Sequence, residues 1–254
     1  MDILSLVRLM QFGDSMLPTG AFAFSSALEA AAQTGVVRDA DTLQQYVVSA
    51  LRQASTGDAV GLAFAMRALC ADPSSAGGEL SEGTLTRLRN IDLALYRRKL
   101  PEEFRDMMTK TGRKLAELGA QTASSPLLSR WRSQIGSEST PGSYPVSLAV
   151  LFAATAFAGK PIRKTDGAEE EAMLQEGLTV YFYGVAMGIL NASLRLMRVT
   201  HLDAQAILYR SSTLFEPLCD RALSTPLDRM TGYAPMTEIL SAVHARARVR
   251  LFMS

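Results

Sequence analysis

The feature that most constrains this chain is an apolar pattern with helical spacing that returns along almost its whole length. Between positions 43 and 54, apolar and small side chains recur at the i, i+3, i+4, i+7 spacing of a helix with one buried face. Asp39 and Asp41 precede this segment as candidate N-caps. No run of alternating apolar and polar residues is flanked by a tight-turn sequence, so no hairpin is predicted. The pattern therefore predicts an all-α fold.

The helical pattern is interrupted at three places but resumes after each of them. A helix is predicted from Pro101 to Gly119, because proline suits the first helical position and glycine commonly ends a helix. Segments 71–82, 120–144 and 224–235 are weakly patterned, although residues 127–131 could form a short helix. None is long or polar enough to require a domain boundary. We therefore predict one domain, residues 1–254, built as a single-domain bundle of about ten helices.

Composition excludes several classes of protein. Lys plus Arg number 26 and Asp plus Glu 25 among 254 residues, and this balance argues against a dedicated nucleic-acid binder. A hydrophobic fraction of 48% excludes a disordered chain. Only two cysteines, Cys70 and Cys219, are present, which excludes a disulfide scaffold.

Targeting and membrane signals are also not predicted. Asp2 and Arg8 interrupt the apolar N-terminus, which argues against a signal peptide. The uncharged stretches 139–159 and 177–194 contain Pro, Gly and polar residues, so we interpret them as core helices rather than membrane spans. A cytoplasmic protein with reduced thiols is expected.

Motifs that carry chemistry are missing from the sequence. Gly159-Lys160 is followed by Pro161 rather than Ser or Thr, so it is not a phosphate-binding P-loop. Neither Gly-x-Gly-x-x-Gly nor Gly-x-Ser-x-Gly occurs in the places that dinucleotide or ester chemistry requires. The two histidines, His201 and His244, have no His or Glu at metal-binding helical spacing. No catalytic, cofactor-binding or metal-binding residue is therefore predicted.

A few residues have both a functional and an ordinary interpretation. His201 could be a base oriented by Asp203 in a small helical enzyme, but a polar residue at a helix junction is the favoured interpretation. Glu169–Glu171 could bind a cation, but a solvated acidic first turn is favoured. Met107 and Met108 could form a docking surface, although methionine at helical spacing more often fills a core.

The N-terminal segment 4–29 combines an amphipathic helix with a sharp turn. The first helix is predicted to end at Gly13, and Pro18 and Gly20 force the turn. A second helix is expected to follow, with Phe22 and Phe24 among its large apolar groups. The ordinary interpretation is a helical corner whose aromatic side chains pack inward.

The C-terminal segment, at about 236–254, combines a helix with a basic and then apolar ending. Arg246, Arg248 and Arg250 accumulate near the helix end, and residues 251–253 are Leu-Phe-Met. An apolar triplet is costly to leave in water, so it must be buried. It could dock on a partner protein, or it could fold back onto its own core; the sequence leaves both possibilities open. The arginines also leave a DNA-binding regulator as an alternative function.

At these two ends the chain resembles the urease accessory protein F family. The family pattern Leu-Pro-Val-Gly-x-Phe-x-Tyr-Ser-x-Gly-Leu-Glu corresponds to residues 17–29, with Thr19, Phe24 and Ala27 as departures. The family ending His-Glu-x-x-Tyr-Ser-Arg-Leu-Phe-x-Ser corresponds to residues 244–254, with Ala245 and Arg248-Val249 as departures. Further matches in the same order are Glu103-Phe104-Arg105 with Gly112, Tyr144-Pro145-Val146, and Arg195-Leu196 with Asp203 and Gln205.

The resemblance implies an all-helical, non-enzymatic homodimer that acts in urease maturation. Such a protein bridges urease accessory protein D, also called H, and the nickel-carrying GTPase, protein G, and regulates that GTPase while nickel reaches apo-urease. It binds no cofactor directly, because nickel and GTP act through the partner proteins. Neither nucleic acid nor a membrane is expected as a partner.

The resemblance also assigns roles to residues. The C-terminal segment is expected to contact accessory protein D/H, with Arg250 anchoring it, through His244, Arg246, Arg250, Leu251, Phe252 and Ser254. The N-terminal turn is expected to lie on or support the surface that faces the GTPase, through Pro18, Gly20, Phe22, Ser25 and Glu29. A structural or passage-lining role is expected for Arg105, Arg195 and Gln205.

Overall fold

The computed structural model describes residues 2–159, 167–232 and 234–253. Within these ranges the chain forms thirteen α-helices and no strand, as the helical periodicity predicts. Two short 3₁₀ segments, Ala21–Ala23 and Leu227–Arg229, complete the regular structure. The helices are α1 (Ile3–Gly13), α2 (Leu28–Gln33), α3 (Ala40–Thr56), α4 (Asp58–Cys70), α5 (Pro73–Ala76), α6 (Glu82–Arg98), α7 (Glu102–Ala123), α8 (Pro126–Gly136), α9 (Tyr144–Ala154), α10 (Gly167–Leu196), α11 (His201–Ser212), α12 (Phe215–Ser224) and α13 (Pro235–Ala245).

Helices α4 and α9 form the centre of the bundle. Residues 145–152 of α9 are all buried, which is the pattern of a helix surrounded by protein on every side. Helix α4 packs along one side of α9 and α7 along another, while α6 covers α4. Helices α3 and α10 pack against each other and against α4, and α11 and α12 lie on α3 and α10. The buried apolar side chains of the described residues form one cluster, with the exception of Phe24.

Helix α10 is long and apolar enough to cross a membrane by length and composition alone. Half of its most apolar stretch is buried in this fold, against α3, α4 and α1. The buried positions include Leu178, Phe182 and Ile189, which belong to the common core. A core helix of a soluble bundle passes the same test, and α10 packs here as such a helix, with one half of this stretch in the core.

Helix boundaries differ from the predicted ones at several places. The described residues contain more helices than the ten or so expected. Helix α5 lies in segment 71–82, and α8 covers the possible helix at 127–131 in segment 120–144. Helix α7 continues past Gly119 to Ala123 and ends at Ser124, which has a positive φ of 45°. A Cβ atom at position 119 would lie 2.8 Å from Cδ1 of Leu151. Gly119 therefore serves the close contact between α7 and α9 and does not end the helix.

The loop that leads into α9 is held by one buried carboxylate. Asp92 of α6 accepts hydrogen bonds from Thr140 Oγ1 at 2.5 Å, from the backbone N–H of Gly142 at 2.7 Å and from that of Ser143 at 2.8 Å. The side chain of Asp92 is fully buried. Because buried polar groups need partners, this arrangement fixes the loop in one position at the start of α9.

Gly112 allows α7 to lie directly on this same loop. A Cβ atom at position 112 would stand 2.3 Å from the carbonyl oxygen of Gly142 and 2.4 Å from the backbone nitrogen of Tyr144. Backbone atoms cannot yield as a flexible side chain does. The glycine that the family resemblance highlights is therefore required by the packing of α7 on the loop.

Replacing Gly112 by alanine is expected to lower the free energy of unfolding by about 2 kcal/mol, because the added methyl group forces α7 away from the loop. The matched control is Gly83→Ala in α6, where a Cβ atom meets nothing within 4 Å. The control is expected to be neutral or slightly stabilising, since alanine is the better helix former. Urea denaturation followed by circular dichroism measures both changes. Equal midpoints for the two variants would contradict the role assigned to Gly112.

Candidate functional site

The N-terminal turn is a compact loop with one aromatic side chain on each side of it. Gly20 has a φ of +79°, a backbone conformation that glycine adopts without strain. The segment Ala21–Ala23 then forms a 3₁₀ turn and α2 begins only at Leu28, so neither Phe22 nor Phe24 belongs to the second helix. Phe24 is buried, as predicted, but Phe22 is 76% exposed. The ordinary interpretation, in which both aromatic side chains pack inward, is wrong for Phe22, which lies within the exposed 3₁₀ turn, whereas Phe24 lies just beyond that turn.

The start of α2 is locally strained. Ser26 and Ala27 both have positive φ, 54° and 63°, where L-residues pay about 1–2 kcal/mol each. The family pattern has glycine at the position of Ala27, which fits this backbone conformation. Tyr46 of α3 donates a hydrogen bond of 2.7 Å to the carbonyl oxygen of Ser26 and holds the strained segment. The turn brings Glu29, in the first turn of α2, into the protein interior.

The C-terminal segment folds back onto this turn. The backbone N–H of Met253 donates to the carbonyl oxygen of Ala23 at 2.8 Å. The Phe252 side chain is buried, and the Arg195 guanidinium lies over its ring at 4.5 Å from the centroid. Of the two possibilities that the sequence left open, the structure of the single chain shows the second for Phe252 alone. Leu251 and Met253 stay 53% and 50% exposed, so the expectation that the whole apolar triplet is buried is wrong for these two residues.

Glu29 is the acceptor that fixes the C-terminal segment. One carboxylate oxygen accepts from the backbone N–H of Leu251 at 2.7 Å and from the Gln33 amide at 3.3 Å. The other accepts from the backbone N–H of Phe252 at 2.9 Å and lies 3.0 Å from Nε2 of His244. Burial raises the pKa of Glu29, but these hydrogen bonds and the nearby imidazole outweigh it, so the pKa lies below its usual value.

His244 lies between two carboxylates and is fully buried. Its Nε2 faces Glu29, and its Nδ1 lies 3.0 Å and 3.1 Å from the two carboxylate oxygens of Glu103. Glu103 also accepts from Ser241 Oγ at 3.3 Å and from Arg250 at 3.3 Å. We call Glu29, Glu103, His244 and Arg250 the tail cluster. It joins α2, α7, α13 and the residues that follow α13.

A cavity of about 310 Å³ adjoins the tail cluster, and Phe252 forms part of its wall. The lining is mostly apolar and aromatic, including Tyr46 and Met107. At its polar end, Lys99 pairs with Asp58 at 2.8 Å, and Tyr181 donates to the same carboxylate at 3.3 Å. Among the described residues, no group of three or more His, Cys, Asp and Glu side chains is placed to hold a metal ion.

The sequence-predicted site residues divide into a buried and an exposed set. Four of them are buried together around the tail cluster: Ser25, Glu29, His244 and Phe252. Exposed members are Pro18, Phe22, Arg246, Arg250 and Leu251, while Gly20 is half-buried. In this conformation the buried set is not available for direct contact with a partner, whereas the exposed set is. Ser254 lies outside the described residues.

The three residues with an expected structural or passage-lining role have different surroundings. Arg105 donates to the carbonyl oxygens of Lys99 at 2.7 Å and Leu100 at 2.6 Å, so it fixes the turn between α6 and α7. Arg195 lines the cavity and stacks on Phe252. Gln205 is exposed on α11, away from the described wall of the cavity.

His201 has the geometry of a helix junction. It is exposed at the first position of α11, and the Asp203 carboxylate accepts from the backbone N–H and Oγ1 of Thr200 at 2.8 Å and 2.7 Å. These backbone and side-chain hydrogen bonds from Thr200 lower the pKa of Asp203. The carboxylate is therefore committed to capping the helix and does not orient His201. Of the acidic residues Glu169–Glu171, the first two lie in the first turn of α10, as the ordinary interpretation expects, and Glu171 follows directly after that turn.

Sequence reasoning missed the role of Glu103. The residue was part of a family-like Glu-Phe-Arg match, but nothing in its local pattern connects it with a histidine 141 positions away. No pattern in the sequence could have shown this role, because Glu103 pairs with the buried histidine, His244, only in the folded chain.

Comparison with known proteins matches these observations. A family model described as UreF matches residues 37–161. A protein named urease accessory protein UreF from Yersinia enterocolitica serotype O:8 is 42% identical over 252 residues, which cover 99% of both chains. Proteins of the same name from Yersinia pestis and Yersinia pseudotuberculosis are 41% identical over the same length and coverage.

Proposed function

The chain belongs to the UreF family of urease accessory proteins, and from this premise we propose that it is a scaffold in nickel insertion. It bridges accessory protein D/H and the GTPase, protein G, and regulates that GTPase while apo-urease is loaded. It acts as a cytoplasmic homodimer and is not itself an enzyme. Nickel and GTP act through the partners, and no residue of this chain is proposed as a nickel ligand.

The observation that carries this proposal is the direct attachment of the C-terminal segment to the N-terminal turn. Glu29, on the helix after the turn, accepts hydrogen bonds from the backbone N–H groups of Leu251 and Phe252. The surface proposed for the GTPase, around exposed Phe22, is therefore continuous with the surface proposed for protein D/H, around exposed Leu251. A partner that binds the surface around Phe22 therefore changes how firmly the surface around Leu251 is held, and the reverse is also true. A protein that bridges two partners and regulates one of them requires such a connection.

Arg250 is the residue whose contribution to the bridge can be tested most directly. Arg250 forms an ion pair with Glu103, and the Arg250 side chain is 44% exposed. Loss of this ion pair therefore costs the fold about 1 kcal/mol or less. As an anchor at a protein interface it is expected to contribute about 1–3 kcal/mol, because arginines are enriched among such anchors. Arg250→Ala is therefore expected to reduce binding of protein D/H by roughly five- to 150-fold while circular dichroism stays unchanged.

The experiment mixes tagged GTPase with protein D/H, with and without this chain, and measures how much protein D/H is retained. Wild type is expected to retain protein D/H, and Arg250→Ala to lose most of it. Arg248→Ala is the matched control, since Arg248 is exposed in the same segment and forms no ion pair with the described residues. Retention of protein D/H without this chain, or equal retention by both arginine variants, would disprove the proposed bridge.

A further inference from the structure

The placement of His244 requires a particular charge state. Each ring nitrogen lies 3.0–3.1 Å from a carboxylate oxygen, with Glu29 on one side and Glu103 on the other. A carboxylate can only accept a hydrogen bond, and only the imidazolium form carries an N–H on both nitrogens. The geometry is therefore that of a protonated ring that donates in both directions.

The other charged groups around His244 lie on α2, α7, α10 and the segment after α13. Glu29 is on α2, Glu103 on α7 and Arg250 on the segment after α13. Arg195 of α10 lies beyond Phe252 and stacks on its ring. The adjacent cleft is bordered by further charged side chains: Glu102, Asp106, Lys110 and Glu238. With His244 protonated, two carboxylates face two cations in the tail cluster, and with His244 neutral one negative charge is left over.

We propose that the proton on His244 controls the attachment of residues 246–253, so that these residues are docked when the imidazole is protonated and released when it is neutral. The proton passes to water or a buffer base when the cluster opens. This proton-dependent latch is a property of the isolated chain and goes beyond the scaffold role proposed above.

Either way of losing the proton disturbs the attachment. If Nε2 gives it up, a lone pair faces Glu29, the same carboxylate that holds the backbone of Leu251 and Phe252. If Nδ1 gives it up, the lone pair faces Glu103, which then keeps only Ser241 and the partly exposed Arg250. In a buried site a lone pair against a carboxylate is strongly unfavourable, because no water can intervene. We expect the population of detached segment to rise at least tenfold on deprotonation.

The chain offers a direct measurement, because it contains only two histidines. Ring ¹⁵N signals of labelled histidine report the protonation of His244, with exposed His201 as the internal reference. Labelling with ¹⁵N-phenylalanine places a second probe at the Phe252 amide, which is assigned from the Phe252→Leu variant. As the pH is raised, the Phe252 amide is expected to move to an unstructured position in the same transition in which His244 loses a proton.

Glu103→Gln supplies the decisive variant. The glutamine amide can donate to the Nδ1 lone pair while Nε2–H donates to Glu29, so a neutral ring has partners on both sides. The Phe252 amide is then expected to stay docked from pH 6 to 9. Glu102→Gln, which removes the neighbouring exposed charge, is expected to keep the wild-type transition.

Two results would overturn the latch. One is a docked Phe252 amide in wild type after His244 has become neutral. The other is a neutral His244 already at pH 6 with the segment docked. Both readouts use the isolated chain, so either result leaves the retention experiment with the GTPase and protein D/H intact, and failure of that experiment leaves the latch intact.

Discussion

Glu29→Ala is expected to free the C-terminal segment and to lower the free energy of unfolding by about 3–5 kcal/mol. The carboxylate accepts hydrogen bonds from the backbone of Leu251 and Phe252, and it faces Nε2 of His244. Its removal leaves two backbone N–H groups and one imidazole nitrogen without partners in a buried site. A charged group that loses its buried counterpart is among the most destabilising changes known for single residues.

Urea denaturation measures the stability change, and trypsin cleavage measures release of the segment. Arg246, Arg248 and Arg250 are trypsin sites whose side chains are already exposed, and the backbone around them becomes free to enter the protease as the segment detaches. Glu102→Ala is the control, because it removes an exposed glutamate and is expected to stay within about 0.5 kcal/mol of wild type. Wild-type stability and wild-type cleavage in Glu29→Ala would show that Glu29 does not hold the segment.

Acid should weaken the same attachment in the wild-type chain. Because the folded-state pKa of Glu29 lies below its usual value, its contribution is fully present above the ordinary glutamate pKa. That contribution is lost as the pH falls through the lowered folded-state value. In Glu29→Ala this part of the acid dependence is expected to vanish, so the stability difference between the two proteins should shrink as the pH falls below about 4.

Sequence reasoning predicted the helices better than it predicted their contacts. Helical spacing and caps depend on residues three or four positions apart, so α3 begins at its predicted Asp39 cap with a complete capping box. Gly119 was interpreted as a helix end because glycine is common there, yet its function is to let α7 approach Leu151. That approach depends on a residue 32 positions away, which no local pattern contains.

The candidate site shows the same limit more strongly. The family resemblance marked both ends of the chain, and this was enough to select Glu29, His244 and Phe252. It could not show that these three lie buried against one another, because the pairing spans more than 200 residues. A separation of 141 residues likewise hid the second carboxylate, Glu103, whose role comes only from its place on the far side of the imidazole.

Asp92 carries the second large effect, at a place far from the tail cluster. Its buried carboxylate accepts three hydrogen bonds from the loop before α9, and all three donors are neutral groups. Asparagine has nearly the same shape but keeps one acceptor oxygen and presents an NH₂ group on the other side. At least one donor of the loop then faces another donor in a buried site, which costs the desolvation of both groups.

Asp92→Asn is therefore expected to lower the free energy of unfolding by about 3 kcal/mol and to loosen the start of α9, including Tyr144 in the cavity wall. Asp41→Asn is the matched control, since Asp41 is exposed in the first turn of α3 and should change stability by about 0.5 kcal/mol or less. Denaturation curves measure the stability, and hydrogen exchange of the Gly142 and Ser143 amides measures the loop. Protected amides in Asp92→Asn would show that the carboxylate does not hold the loop. If the amides exchange faster while the Phe252 amide stays protected, the loop before α9 and the tail cluster are independent supports of the fold.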